Sequence, residues 1–170
     1  AIAALAFGTN TIPKVDKICG PGNFFVTLAK KLLYGDVGID GLYGPTETVI
    51  IADDTANPSL CAADLLAQAE HDALACPILI TTSSSLLTNI EIELDRQLKL
   101  LERKDTILSA LQGRGRMVLI DNLDEAIALA NMVAPEHLCL MIKDPWRHAL
   151  DARHAGGIFL GPFSPEVVGD

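Results

Sequence analysis

Short apolar runs alternate with longer amphipathic segments along this chain, and the alternation predicts its architecture. Apolar runs of strand length predict strands at residues 15–19, 48–52, 77–81, 117–120, 138–142 and 157–160. Apolar positions at helical spacing predict helices at residues 1–7, 23–34, 58–71, 83–103, 124–132 and 145–153. Strands that alternate with helices indicate an α/β fold, a Rossmann-like, doubly wound, mostly parallel sheet with helices on both faces.

Composition and charge narrow the class of protein. The chain has 170 residues, of which 49% are hydrophobic, which suits one main domain with a small annex. Its formal charge is −9 and it has no Lys/Arg-rich run, so nucleic acid is not an expected partner. No apolar run has the length of a membrane span, and the N-terminus lacks the order of a signal peptide. Four scattered cysteines without a C-x-x-C pair favour a reducing compartment, so we expect a soluble cytoplasmic protein.

The two ends of the sequence lack the features expected of natural chain termini. Ala1 begins an apolar helical run without an initiating Met or a capping residue, and the last residues stop just after a turn signal. We therefore expect the chain to be an internal piece of a longer protein.

A candidate metal half-site lies near the end of the helix predicted from residue 58. Gln68 and His71 are three residues apart, so an amide oxygen and an imidazole lie on one helix face about one turn apart. A histidine at a helix C-terminus also caps the last carbonyls, and Gln68 would then be an ordinary surface residue. The pair alone leaves both readings open.

Two further motifs have candidate chemistry. In APEHL, Glu136 and His137 stand beside a strand start, where a carboxylate and an imidazole suit acid/base catalysis; solvated loop residues are the alternative. In GPGN, glycines before a helix capped by Asn23 resemble part of a phosphate-binding loop. The dinucleotide fingerprint is incomplete there, and a plain turn with a capped helix remains the alternative.

The positions of these motifs conflict with a general rule. In doubly wound sheets, ligands bind outside the carboxyl ends of the strands. APEHL and GPTE precede their strands, and Gln68 and His71 end a helix, which places them at the opposite end of the layer. The sequence does not resolve this conflict.

Six stretches resemble histidinol dehydrogenases, in the same order and near the family spacing. They are VDKICGPGNFFV, GIDGLYGPTE, IADDTANP, ADLLAQAEHD, IALANMVAPEHL and HAGGIFLGPFSPEVVGD. The resemblance implies a zinc- and NAD-dependent enzyme of histidine biosynthesis that oxidises L-histidinol through histidinaldehyde to L-histidine. It also implies a homodimer in the full-length protein and a cytoplasmic location, or a plastid in a plant.

The resemblance also implies roles for individual residues. Gln68, His71 and Asp170 match zinc ligands that also contact substrate. A fourth family ligand, a histidine from the other subunit, has no counterpart in this chain. His137 matches the general base, which also contacts substrate, and Glu136 matches its acidic partner.

Two further matched positions concern NAD and substrate. Asn23 matches an NAD-contacting position, and Thr46 stands where the family has a substrate-contacting serine in GPSE. Residues 1–45 are then expected to be part of a flanking α/β region on the NAD side. Residues 46–170 are expected to form the Rossmann-like domain that carries the zinc and acid/base residues.

Three functional hypotheses follow. The first is a segment of a histidinol dehydrogenase. The second is a relative that oxidises a different alcohol, because Thr46 adds a methyl group at the substrate contact. The third is a truncated segment that is not catalytic on its own, because one zinc ligand and much of the NAD site are absent.

Overall fold

The chain forms two units, Ala1–Gly44 and Pro45–Asp170. The structure, a computed structural model, describes residues 1–20, 22–42, 44 and 46–168. In the first unit the elements are α1 (Ile2–Phe7), β1 (Lys17–Ile18), α2 (Phe24–Leu32) and β2 (Gly38–Ile39). The two short strands pair in parallel, over a small core of Ala6, Ile18 and Val37.

A buried ion pair organises the turn before α2. Lys30 is only 3% exposed, and its Nζ donates to Asp40 Oδ1 at 2.7 Å and to the Gly20 carbonyl at 2.5 Å. The Lys30 ammonium, with help from the Gly20 N–H, holds the pKa of Asp40 well below its usual range. Because a buried charge needs such partners, this pair fixes Gly20 relative to both α2 and β2.

The second unit contains a five-stranded sheet in which all pairs are parallel. Its elements are β3 (Glu47–Ala52), α3 (Pro58–His71), β4 (Cys76–Thr81), α4 (Ser84–Leu98), α5 (Lys104–Gly113), β5 (Arg116–Leu119), α6 (Leu123–Val133), β6 (His137–Met141), α7 (Pro145–Ala149), β7 (Gly157–Leu160) and a 3-10 turn at Glu166–Val168. The strand order is β5-β4-β3-β6-β7. This arrangement confirms the predicted α/β, Rossmann-like fold.

Strand alternation divides the core into two layers. Ile50, Leu79 and Cys139 face α3 and α4, whereas Val49 and Leu138 face α6. Both sheet faces are therefore covered, which explains why the strands are almost continuously apolar. A third cluster joins α3 to α5 through Leu66 and Ile107.

Capping side chains define the starts of two predicted helices. Asn57 accepts from the Ser59 N–H at 2.9 Å with Pro58 at the first helical position, and Asn23 caps α2. The helix predicted at residues 83–103 ends earlier, at Leu98, and α5 at residues 104–113 was not predicted. The helix predicted at residues 145–153 ends at Ala149.

The strand order reverses between β3 and β6, and the carboxyl ends of these strands are joined directly. Asp53, just after β3, accepts from the Lys143 N–H at 2.8 Å, just after β6. Its other oxygen accepts from the Thr55 N–H at 3.0 Å and the Thr55 hydroxyl at 2.5 Å. We call these three residues the carboxyl-end tie.

Within the described ranges, no helix combines the length and apolar character needed to cross a bilayer.

Candidate active site

The registered pairing of β3 and β6 brings two polar side chains together at the amino ends of these strands. Thr48 and His137 are register partners and lie on the sheet face that packs against α3. Thr48 is fully buried and His137 is 9% exposed. Buried polar side chains are unusual, because each needs a hydrogen-bond partner away from water.

The amide of Gln68 is held in one orientation at this point. Gln68 is 4% exposed, near the C-terminus of α3. Its Nε2 donates to the Thr46 carbonyl at 3.1 Å, and its Oε1 accepts from the Thr48 hydroxyl at 2.7 Å. Because only the amide nitrogen can donate to the Thr46 carbonyl, Oε1 is the atom that points to Thr48.

Glu166 completes the arrangement from the far end of the chain. It is 3% exposed, and its Oε2 is hydrogen-bonded to the Thr48 hydroxyl and lies 3.4 Å from His137 Nδ1. Thr48 therefore lies between two acceptors, Gln68 Oε1 and Glu166 Oε2, with one proton to donate. Because β7 ends at the carboxyl end of the sheet, residues 161–165 return the chain to the amino end.

A second buried carboxylate, that of Asp64, lies on the face of α3 that carries Gln68. Asp64 is one turn before Gln68, is 8% exposed, and its Oδ2 has no partner among the described residues. Burial, assisted by the negative charge of Glu166, raises the pKa of Asp64 to about 6. A buried acid whose pKa is raised by burial and by a neighbouring charge is typical of functional sites. We call Thr48, Asp64, Gln68, His137 and Glu166 the polar cluster.

Two buried thiols, Cys61 and Cys139, belong to the core on the same sheet face as Thr48 and His137. Burial, then the charge of Asp64, raises the pKa of the Cys61 thiol to about 12. Burial, then Glu166, also raises the pKa of Cys139. Both cysteines therefore act as small core residues.

Phe159 and Gly156 hold the His137 segment in place. The rings of His137 and Phe159 are edge to face, with centroids 5.5 Å apart. The Gly157 N–H donates to the Glu136 carbonyl at 2.8 Å. A Cβ on Gly156 would lie 2.8 Å from the same carbonyl, so glycine permits β7 to approach the entry of β6.

The other predicted site residues occupy different environments. Thr46 is half-buried and contacts Gln68 through its carbonyl, while His71 and Glu136 are exposed. Asn23 lies in the first unit, where its side chain caps α2 by accepting from the Phe25 and Val26 N–H groups. Asp170 lies outside the described residues. The structure thus joins Thr46, Gln68 and His137 through Thr48 and Glu166.

Comparison with known proteins identifies the family. The family model described as histidinol dehydrogenase matches residues 1–170. The chain belongs to the histidinol dehydrogenase family. It is similar to histidinol dehydrogenases of Dehalococcoides mccartyi (strain ATCC BAA-2266 / KCTC 15142 / 195), at 54% identity, and of Synechococcus sp. (strain ATCC 27144 / PCC 6301 / SAUG 1402/1), at 56%. Each match covers 100% of this chain and 39% of the relative.

A solved structure agrees with the family assignment. The crystal structure of histidinol dehydrogenase from Elizabethkingia anophelis superposes with a TM-score of 0.93 at 44% identity. The match covers 99% of this chain and 39% of that one. The chain therefore spans about two fifths of the length of the histidinol dehydrogenases that it matches.

The residues expected to bind zinc can be tested against the donor chemistry. Gln68 and His71 offer an amide oxygen and an imidazole on one helical turn, and zinc accepts such ligands. Gln68 Oε1 keeps a second lone pair beside its bond to Thr48, and the bond to Thr46 fixes its direction. Among the described residues, no three His, Cys, Asp or Glu side chains form a metal-binding group. Gln68 and His71 thus fit as part of a ligand set.

Three members of the polar cluster were not predicted from the sequence. Asp64 shares helical spacing with Gln68, and that spacing could have identified it. Thr48 occupies an inward position of an apolar strand, which is a weaker signal. For Glu166 the sequence offers no such signal, because its place depends on how the chain returns after β7.

Proposed function

We propose that this chain carries part of the active site of an enzyme that oxidises L-histidinol through histidinaldehyde to L-histidine with NAD. The observation that supports the proposal is the buried polar cluster. In it, Thr48 is hydrogen-bonded to Gln68 and Glu166, and Glu166 lies 3.4 Å from His137 Nδ1. The chain belongs to the histidinol dehydrogenase family. A merely structural core would not require five buried polar side chains next to each other.

In this proposal the first oxidation needs one general base. His137 accepts the proton of the histidinol hydroxyl through its ring nitrogen Nε2, because Nδ1 faces Glu166. The carbinol carbon loses a hydride at the same time, leaving the aldehyde. NAD supplies the hydride acceptor for this step and for the next, and Asn23 of the first unit is proposed to contact it.

The second oxidation needs water. Glu136 is exposed beside His137, so its carboxylate can take a proton from the water that adds to the aldehyde. His137 then accepts the hydroxyl proton of the hydrate, the carbon loses a second hydride, and the carboxylate of L-histidine results. Overall, one water is consumed, two hydrides are transferred and three protons are released, two through His137 and one through Glu136. His137 therefore loses the first proton to solvent before it accepts the second.

The remaining proposed residues orient the substrate. Gln68 and His71, with Asp170, are proposed to hold zinc, which on binding would fix the substrate's imidazole and amine. Thr46 is proposed to contact the substrate through its hydroxyl. The full-length protein is proposed to be a cytoplasmic homodimer.

The test is the stoichiometry of the reaction in the full-length protein that carries this chain. We expect two NADH and one L-histidine per L-histidinol, measured by absorbance and by chromatography. A protein that reduces NAD with another alcohol but not with L-histidinol contradicts the proposal and supports the different-alcohol hypothesis. NAD reduction by the full-length protein but not by the 170-residue chain alone supports the hypothesis that the segment is not catalytic on its own.

A further inference from the structure

We propose that Glu166 is a positioning residue for His137. In this role it holds the imidazole in the tautomer that protonates Nδ1, so that Nε2 keeps the lone pair a base needs. The inference rests on the proposed function, because it assigns how the proposed general base is prepared. Glu166 does not touch the reacting atoms in this proposal.

The first support is the geometry at Nδ1. Glu166 Oε2 lies 3.4 Å from His137 Nδ1, and both side chains are almost fully buried. A neutral imidazole donates from one nitrogen and accepts at the other. A carboxylate at Nδ1 can only accept, so it selects the Nδ1–H tautomer, as carboxylates do for catalytic and metal-binding histidines.

The second support is that Glu166 is itself held. The Thr48 hydroxyl is hydrogen-bonded to the same Oε2, and Thr48 is the register partner of His137 across β3 and β6. The carboxylate and the imidazole are therefore fixed to the same pair of strands. Thr48 also contacts Gln68 Oε1 at 2.7 Å, which joins the proposed base to the proposed metal ligand through one hydroxyl.

The third support is the position of the ring. Phe159 packs edge to face against His137, with centroids 5.5 Å apart, and limits rotation of the imidazole. Phe159 provides no polar atom to choose between tautomers, whereas Glu166 places a carboxylate oxygen 3.4 Å from Nδ1. Orientation by Phe159 and tautomer selection by Glu166 are thus separate contributions.

The primary test is ring nitrogen NMR of the full-length protein carrying this chain, labelled with ¹⁵N-histidine. The His137 resonances are identified by their loss in His137→Asn. We expect the wild type to show protonated Nδ1 and unprotonated Nε2. In Glu166→Gln we expect a shift toward the Nε2–H tautomer, because the amide can donate to Nδ1. Unchanged ring resonances in Glu166→Gln would overturn the proposal, whatever the activity.

The second test is kinetic. Glu166→Gln is expected to lower kcat about 100-fold with little change in KM, and Glu166→Asp, which keeps an acceptor, is expected to lose less. In the His137→Asn background, Glu166→Gln should have little further effect. An equal loss in both backgrounds would mean that Glu166 acts independently of His137 and would refute the assignment.

Controls separate this inference from the proposed function. Glu102→Gln changes an exposed carboxylate in the break between α4 and α5, and should alter neither kcat nor the His137 resonances. If the wild type does not oxidise L-histidinol, the proposed function fails while the NMR test still decides the tautomer. If Glu166→Gln does not fold, Glu166→Asp and Thr48→Val provide the NMR comparison. A wild-type Nε2–H tautomer overturns the inference without any variant.

Discussion

The two ends of the five-stranded sheet use hydrogen bonds differently. At the carboxyl ends of β3 and β6, Asp53 accepts three hydrogen bonds. The donors are the Thr55 N–H, the Thr55 hydroxyl and the Lys143 N–H. At the amino ends, Asp64 and Glu166 are buried close enough for the charge of Glu166 to raise the pKa of Asp64. The carboxyl-end tie satisfies its acid, whereas the polar cluster holds its acids at a cost in stability.

This difference bears on where chemistry occurs. Doubly wound sheets usually bind ligands at the carboxyl ends where the strand order reverses. Here that point is bridged by the carboxyl-end tie, and the candidate residues gather at the opposite end. The candidate residues therefore depart from this rule in the structure, as their positions in the sequence indicated.

Replacement of His137 by Asn should lower kcat for L-histidinol oxidation about 1,000-fold in the full-length protein, because a general base contributes roughly 10²- to 10⁴-fold. Zinc content, measured by atomic absorption, should stay unchanged, because His137 is not among the proposed ligands. His154→Asn is the matched control, since this exposed histidine is hydrogen-bonded to the Asn131 carbonyl and lies outside the polar cluster. Equal losses of zinc and kcat would contradict the separate roles of His137 and Gln68.

Replacement of Asp64 by Asn should raise the free energy of unfolding by about 2 kcal/mol at pH 8. A pKa raised from 3.8 to about 6 corresponds to a penalty of about 3 kcal/mol once the folded acid ionises, and a buried amide recovers part of it. The folded state holds this proton more tightly than the unfolded chain. The wild type should therefore lose stability, relative to the variant, as the pH rises from about 4 to 6.

Urea unfolding of both proteins at pH 4, 6 and 8 measures this difference. The advantage of Asp64→Asn should grow between pH 4 and 6 and then stay constant. A variant less stable than the wild type at pH 8 would show that the Asp64 carboxylate has a stabilising partner.

Replacement of Asp53 by Ala should lower the free energy of unfolding by about 1–2 kcal/mol, because the Lys143 and Thr55 N–H groups lose their acceptor. Urea unfolding measures the loss, and Asp54→Ala at the adjacent exposed position is the control. Activity at saturating substrate should be unaffected. A fall in kcat comparable with that of His137→Asn would remove the contrast between the two ends of the sheet.

Replacement of Ala134 by Gly should raise the free energy of unfolding by about 0.5–1 kcal/mol. Ala134 ends α6 with φ 53°, in the left-handed region that favours glycine. Ala128→Gly, an exposed site inside the same helix, should instead destabilise by a similar amount. Thermal unfolding of the two variants gives the comparison, and a loss of stability in both would show that residue 134 is not strained.

The sequence predicted the layers of the fold because local signals were strong. Asn57 and Pro58 marked the start of α3, and the apolar runs marked the strands. The end of α4 was predicted too late, because Leu94, Leu98 and Leu101 all pack on one cluster and so continue the apolar pattern past Leu98. Helix α5 was not predicted.

The candidate site was predicted only in part, because some of its residues have no local sequence signal. Gln68 and His137 belong to compact motifs, whereas their connection through Thr48 and Glu166 depends on strand register and on the return of the chain after β7. Neither is visible in local sequence. The motif residues thus have local sequence signals, whereas the residues that connect them are identified only by the structure.

The bond between Thr48 and Glu166 joins residues 118 positions apart. Contacts of such high sequence separation form late, since a long loop must close before they contribute. We therefore expect the cluster to mature only after the last strand has docked during folding. Hydrogen exchange should accordingly find residues 161–168 among the first to open, while the interior of β3 and β4 remains protected.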